Sequence, residues 1–390
     1  MIFTDARERL EHFRGDFPAK PMDARRIAGL LDAPGCPRRQ VVDAASVPLK
    51  DLAKLIGCKP LAPSPFALQR GIRFEQNVIS DAMTPLVPLV REHLGLDVRD
   101  VRQQLLSTPQ ARSQYPATRG VQAVTELRLR LTREAVAAML DGEQHAINLL
   151  HHPYLELSLG DMPAYLEPDL LGYAAAQALS PIEIKSFPCI DGVADPVKTA
   201  EAARQTAVYV IALRRLVASF GHEPERVASR GLLVMARDFA LTATASVLDL
   251  RPQVLRLNRL LNDFPHVTHL APRVPTAISL PALPDKDANE QQQHDAAKQA
   301  KEAIGALDMR FGDGCPSCAM FDFCRGQARS ENQVAQLGTE AANLCGDVGT
   351  VSHALALASG ERAPLGSAES AVADELRRAA LAVQLAGAPA

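Results

Sequence analysis

Tryptophan is missing from this chain of 390 residues, whose aromatics are 12 Phe and 5 Tyr. Broad platforms on which nucleic-acid bases stack are therefore not expected. No run of about eighteen or more apolar residues occurs, so no bilayer-spanning helix is predicted. The opening stretch MIFTDARERLEHFRGDF is charged and lacks the apolar centre of a signal peptide. That points to a cytoplasmic protein with no membrane partner. A strong net charge is missing too. The formal charge is -3, and residues 331–390 carry seven acids against three Arg, which leaves +1 for the rest. A uniformly basic nucleic-acid binder is excluded, and any phosphate-binding surface has to be a local patch. The seven cysteines are an odd number, three of them bunched near the end. They suit a metal site in a reducing compartment better than a disulfide frame, with two or three left as plain thiols.

The length allows a large core and more than one lobe. Residues 1–150 are predicted to be mainly helical, and LQRGIRFEQNVISDAM places Ile72, Phe74, Val78, Ile79 and Met83 near a helical repeat on a helix that carries Glu75. The texture changes at Tyr154. YLELSLG, AYLEPDLLGY and PIEIKSF are short apolar or alternating runs bounded by Gly and Pro, as strands are. A long helix follows, with Asp195 as N-cap, Pro196 at the first helical position and Gly221 just past the end. RGLLVMARD and LTATASVLDL read as two more strands and RPQVLRLNRLL as a closing helix. Residues 151–264 are thus an α/β sandwich. Residues 265–330 read as a Pro-rich tether, a polar helix and a cysteine cluster, and residues 331–390 as an Ala-rich acidic tail with two weak amphipathic helices, free to dock a partner or pack at home.

In PIEIKSF, strand geometry puts Glu183 and Lys185 on one face and Ile182 and Ile184 on the other. The isoleucines can enter the core while the charged pair looks into a cleft, and a preceding strand can bring Asp169 to the same cleft. Carboxylates converging there repel each other unless a hard cation lies between them, and Mg²⁺ is commonly held by one or two carboxylates. A lysine beside that metal can orient or deprotonate water, or stabilise charge on phosphate oxygens. The competing reading is a solvated strand face. In the following helix, Gln205 and Tyr209 stand four apart on one side.

Asp169, Glu183-x-Lys185 and Gln205-x-x-x-Tyr209 together resemble the motifs of the PD-(D/E)xK nuclease superfamily, in particular its RecB-like branch. GIRFE, with Gly71, Phe74 and Glu75, matches the Gly-x-x-apolar-His/Glu motif on that branch's upstream helix. The resemblance implies a restriction-endonuclease-like core, a central mixed sheet flanked by helices. It implies that Glu75, Asp169 and Glu183 bind Mg or Mn, that Lys185 is catalytic, and that Gln205 and Tyr209 contact DNA or support the lysine. It also implies a DNA substrate, single-stranded or at strand ends, and helicase or phage-defence and repair partners. Where the family often has a small residue shortly before the first acid, this chain has LEPD.

CPSCAMFDFC supplies Cys315, Cys318 and Cys324, three thiolates for which a metal is the natural occupant. A fourth ligand is needed, with Cys36 in GCPRR the candidate and Cys58 the runner-up. Zinc and an iron–sulfur cluster both fit four thiolates. One N-terminal Cys followed by Pro-Arg and a C-terminal C-x2-C-x5-C array resemble the iron–sulfur members of the RecB-like branch, such as the AddB nuclease domain and the small nucleases of CRISPR adaptation. That resemblance covers residues 30 to 330 and implies a [4Fe-4S] cluster stapling the ends of the domain. Two alternatives stand beside the nuclease: a binding or scaffold subunit that has lost cleavage, and a zinc-stapled binding protein. Arg38, Arg39, Arg70 and Arg73, which flank the motifs, are candidate phosphate contacts. His151 and His152 read as surface histidines and Cys189 as a buried thiol.

Overall fold

The computed structural model describes residues 5–33, 35–58, 64–98, 100–113, 120–143, 145–174, 178–285, 287–312 and 314–385. The chain is mixed α/β and divides discontinuously into two compact units. The first is built from Met1–Lys20, Asp32–Leu61 and Pro265–Ala390, and the second from Pro21–Leu31 and Ala62–Phe264.

The strands of the second unit are β1 (Gln103–Leu105), β2 (Leu149–His151), β3 (Leu155–Leu159), β4 (Met162–Leu166), β5 (Leu170–Gly172), β6 (Ser180–Ile190), β7 (Val193–Ala194), β8 (Arg230–Arg237) and β9 (Ala243–Asp249). β3 and β4 form a separate hairpin, and the others form one mixed sheet in the order β1-β2-β5-β6-β8-β9, with β7 on the far end of β6. β1–β2 and β6–β8 are parallel and the remaining pairs antiparallel. A parallel pair needs a long crossover. Between β6 and β8 that crossover is the helix Pro196–Ser219, capped by Asp195, which accepts from the N–H groups of Val197 at 2.9 Å and Lys198 at 3.1 Å. One face of the sheet is covered by the helices Pro65–Val78 and Val87–Leu94. Their Phe74, Val78 and Val90 pack in one core with Ile182, Ile184, Leu232 and Val234. Helix Pro196–Ser219 packs on β6 and on the short helix Ala24–Ala28.

Two local readings of the sequence change here. AYLEPDLLGY is two strands, because Pro168 cannot donate to a ladder: the chain leaves the β3–β4 hairpin after Leu166 and joins the large sheet at Leu170. INLL, read as helical, runs into β2, which is buried throughout and thus without the alternation that marks a half-exposed strand.

The first unit is helical, with Ala6–Arg14, Pro37–Ala44, Leu49–Leu55, Glu290–Gly305 and Phe321–Glu331 among its elements. The Pro-rich segment after residue 264 is no free tether within it. Leu280 is buried and donates its N–H to the Phe13 carbonyl at 2.7 Å, and Arg9 Nε donates to the Val274 carbonyl at 2.9 Å. Proline stops helices and ladders, but the apolar residues between still pack. The tail forms the helices Val351–Ser359 and Gly366–Leu385, whose Leu357 and Ala373 share a small core with Val334, Cys345 and Val348. Among the described residues, no helix is long and apolar enough to cross a membrane.

Candidate active site and cysteine cavity

Leu170 pairs with Ile182 across antiparallel β5 and β6. One step further, the same register sets Asp169 opposite Glu183, and Asp169 Oδ2 accepts the Ile184 N–H at 2.7 Å. Ile182 and Ile184 enter the core, so Glu183 and Lys185 take the other face, as the two-residue period requires. Glu183 is 0 % exposed, its Oε1 engaged by Lys185 alone and its Oε2 without a hydrogen-bond partner. The Lys185 ammonium beside Oε1 is its compensating charge. The structure therefore brings Asp169, Glu183 and Lys185 together. Glu75, on the helix Pro65–Val78, is near enough for its charge to act on both acids.

Burial, reinforced by the charge of Glu183, raises the Asp169 pKa to about 8. Burial raises Glu183 as well, against the pull of Lys185. For Lys185, burial works to lower the pKa, but Glu183 and Asp169 outweigh it and hold the amine protonated. These are the shifts of carboxylates crowded in a dry pocket with one ammonium between them. Gln205 Nε2 donates to Tyr209 Oη at 2.7 Å, and Tyr209 Oη donates to the Glu167 carbonyl at 3.3 Å. Tyr209 is buried, and burial with the nearby Glu183 and Asp169 charges keeps its phenol protonated. Its place is behind the acids, bracing the Pro168 turn that presents Asp169.

His151 and His152, expected on the surface, belong to this site. His151 is buried in β2, and burial, with His152 beside it, lowers its pKa to about 4. His152 has a left-handed backbone, φ +47, and donates its N–H to the Asp169 carbonyl at 3.0 Å. Its Nε2 lies 3.2 Å from Glu75 Oε1 and its Nδ1 3.4 Å from Glu167 Oε1. Buried Arg128 completes the group: Nη2 lies 2.9 Å from Glu167 Oε1 and 3.2 Å from the His152 carbonyl, and Nε donates to the Leu106 carbonyl at 2.6 Å. Arg25, exposed on the helix Ala24–Ala28, adds a positive field felt at Glu183 and Lys185. Nothing in the spacing of His152, Arg128 or Arg25 marks them. The one sequence signal was the position of the histidines at a strand end. Arg73 is exposed on the Glu75 helix, whereas Arg70 donates to the Ser186 carbonyl at 3.2 Å. Cys189 is a buried thiol in β6.

In the first unit, Cys36, Cys315, Cys318 and Cys324 line one cavity, together with Arg38 and Arg39. Cys36 stands immediately before the helix Pro37–Ala44, and Cys324 lies within Phe321–Glu331. Cys58, the other candidate, is close enough to Cys318 to feel its charge but does not line the cavity. Burial raises the Cys315 thiol, and lifts Cys324 to about 11 against the effect of Arg38. Arg38, expected at a phosphate-facing surface, is 0 % exposed, and Arg39 is buried with it. Both point inward because their helix turns that face to the cavity.

Among the described residues, no group of three or more His, Cys, Asp or Glu side chains is placed so that it could hold a metal ion. The fit of each donor set rests on its chemistry. The orphaned buried Oε2 of Glu183 opposite Asp169 suits a hard divalent cation. Four cysteine sulfurs around one cavity suit a thiolate-bound metal centre.

No protein-family model matches the chain, and no curated protein does. Among the solved structures, one described as "Crystal structure of SSO0001" is 14 % identical over 47 % of this chain and 84 % of its own, with a TM-score of 0.18. That similarity is too slight to bear on fold or function.

Proposed function

We propose that the chain is a metal-dependent nuclease of the PD-(D/E)xK type, with a restriction-endonuclease-like core, that hydrolyses phosphodiester bonds of DNA at single strands or strand ends. The observation that carries this reading is the pair of facing buried acids, Asp169 and Glu183, with the Lys185 ammonium against Glu183 Oε1 and no partner for Glu183 Oε2. An arrangement of that kind is unfavourable for a merely structural purpose, because two buried acids share a single ammonium and one carboxylate oxygen has no donor. It suits a site completed by a cation and a phosphate.

Asp169 and Glu183 would hold Mg²⁺ or Mn²⁺, with Glu75 as a third ligand. The ion supplies Lewis acidity toward a phosphoryl oxygen and lowers the pKa of a bound water. Lys185, kept protonated by its two acidic neighbours, stabilises the charge that grows on the phosphate oxygens. Tyr209 and Gln205 keep the turn before Asp169 in place. His152 holds Glu75 and, through Arg128 and Glu167, fixes its approach to the acids. The four cavity cysteines would hold a [4Fe-4S] cluster that ties segments from the two ends of the chain into one unit.

Cleavage of end-labelled single- and double-stranded DNA with Mg²⁺, Mn²⁺ or EDTA tests the proposal. Cutting with either metal, none with EDTA, and none by Lys185→Ala with its fold and cluster intact are expected. Metal-independent inertness of the wild type leaves a binding subunit, and a fully active Lys185→Ala removes the lysine from the mechanism. Colour tests the second cofactor. An anaerobically purified iron–sulfur protein is brown with absorbance near about 400 nm, whereas a zinc protein is colourless.

A further inference from the structure

Arg38 is fully buried in the first unit. Its guanidinium donates to the Leu307 carbonyl at 2.8 Å through Nη2 and at 3.2 Å through Nε, to Gln327 Oε1 at 2.8 Å and to Cys324 Sγ at 3.1 Å. None of these partners carries a carboxylate. Its link to one is indirect, through the Gln327 amide, which donates to Glu331 Oε1 at 2.5 Å. Beside it, Arg39 is paired with Asp43 at 2.5 Å and also lies within hydrogen-bonding reach of Cys318. The Gly312 N–H donates to Cys315 Sγ at 3.3 Å. Three of the four cavity sulfurs thus face N–H donors, two of them on buried cations. Glu331, exposed, reaches Arg38 only through its field, and a buried cation with no carboxylate in contact is unfavourable, since buried charges in proteins are paired. Neutral thiols do not supply the missing negative charge, but a centre held by four thiolates is anionic.

We infer that Arg38 is the built-in counter-charge of an anionic metal–thiolate centre in this cavity and sets both its retention and its reduction potential by donating to the Cys324 sulfur. The inference rests on the proposed cluster and is separable from it. Hydrogen bonds and positive charge at cluster sulfurs stabilise the more negative, reduced form, which raises the potential. Partners of metal ligands of this kind are worth on the order of 10- to 100-fold in metal retention.

The test uses full-length protein purified without air, as wild type, Arg38→Gln and Arg38→Lys. Iron and sulfide per chain, loss of iron to a chelator and the midpoint potential are measured. Arg38→Gln is expected to lose iron at least about tenfold faster and to titrate at a more negative potential, with Arg38→Lys, which keeps the charge without the fork, in between. A merely structural arginine leaves the potential of assembled clusters where it was, and that result overturns the inference. If Arg38→Gln is insoluble, Arg38→Lys decides, and retention and potential equal to wild type overturn the inference. If the wild type holds zinc and no iron, the cluster reading fails while Arg38 is still judged, by zinc release about tenfold faster in Arg38→Gln; an equal rate overturns it. A wild type with neither metal overturns both.

Discussion

Glu183 shows at the scale of one residue how a site can work against its own fold. Its carboxylate is fully buried with Lys185 on one oxygen and nothing on the other, and it shares its pocket with Asp169. Asp169 titrates near 8 in the folded chain against an ordinary 3.8. Between those values the folded state holds protons that the unfolded state has lost, so the pair's contribution to stability is full at low pH and disappears as pH rises through the window. Metal-free protein should therefore melt at progressively lower temperature from pH 5 toward pH 8, and Glu183→Gln should flatten that slope. Added Mg²⁺ should stabilise more at high pH, because the ligands must lose their protons to bind it. Melting curves across that range, with and without Mg²⁺, check this; a slope identical in wild type and Glu183→Gln would show that the two acids are not coupled.

Among the elements, β6 was legible and its partners only in part. Ile182 and Ile184 against Glu183 and Lys185 declare a strand with one face in the core and one in a cleft, and the capped helix after it is as plain. The break at Pro168 was overlooked, because AYLEPDLLGY reads as one run when its alternation is counted without the missing proline N–H. That break frees the Glu167 carbonyl for Tyr209 and the Asp169 carbonyl for His152. β1 and β2 have three residues each, too short for any period to show. The histidines at their edge were misread for the same reason: the burial of His151 and the bridge of His152 from Glu75 to Glu167 come from long-range pairing, which no local pattern encodes. Tyr209→Phe probes such contacts. It removes both the bond from Gln205 and the bond to the Glu167 carbonyl, each worth about 1 kcal/mol, and should reduce cutting by several-fold or more while the melting temperature falls by only about a few degrees. A variant that cuts at the wild-type rate would make the Tyr209 hydroxyl irrelevant to the placing of Asp169.

For the whole molecule, the first unit joins residues 32–61 to the segment after residue 264. Bridging so long a stretch of chain by a metal clip restricts the unfolded state far more than a local contact does. The motif spacing made the cysteine trio legible. Cys36, already preferred to Cys58 for its GCPRR context, lines the cavity; the burial of Arg38 behind the sulfurs needed three dimensions. Cys36→Ser should give colourless protein whose first unit unfolds at lower temperature, whereas Cys58→Ser should keep its iron; iron analysis with limited proteolysis reads both, and the opposite pattern would exchange the two cysteines in the account. Glu75, Asp169 and Glu183 are proposed to gather around one divalent ion. Soaking crystals in Mn²⁺ and recording anomalous scattering at the manganese edge tests this. A peak bonded to the carboxylates of Asp169 and Glu183, with Glu75 turned toward it, is expected, and it should be lost in Glu183→Gln; a map with no peak there at saturating Mn²⁺ would rule out the shared ion.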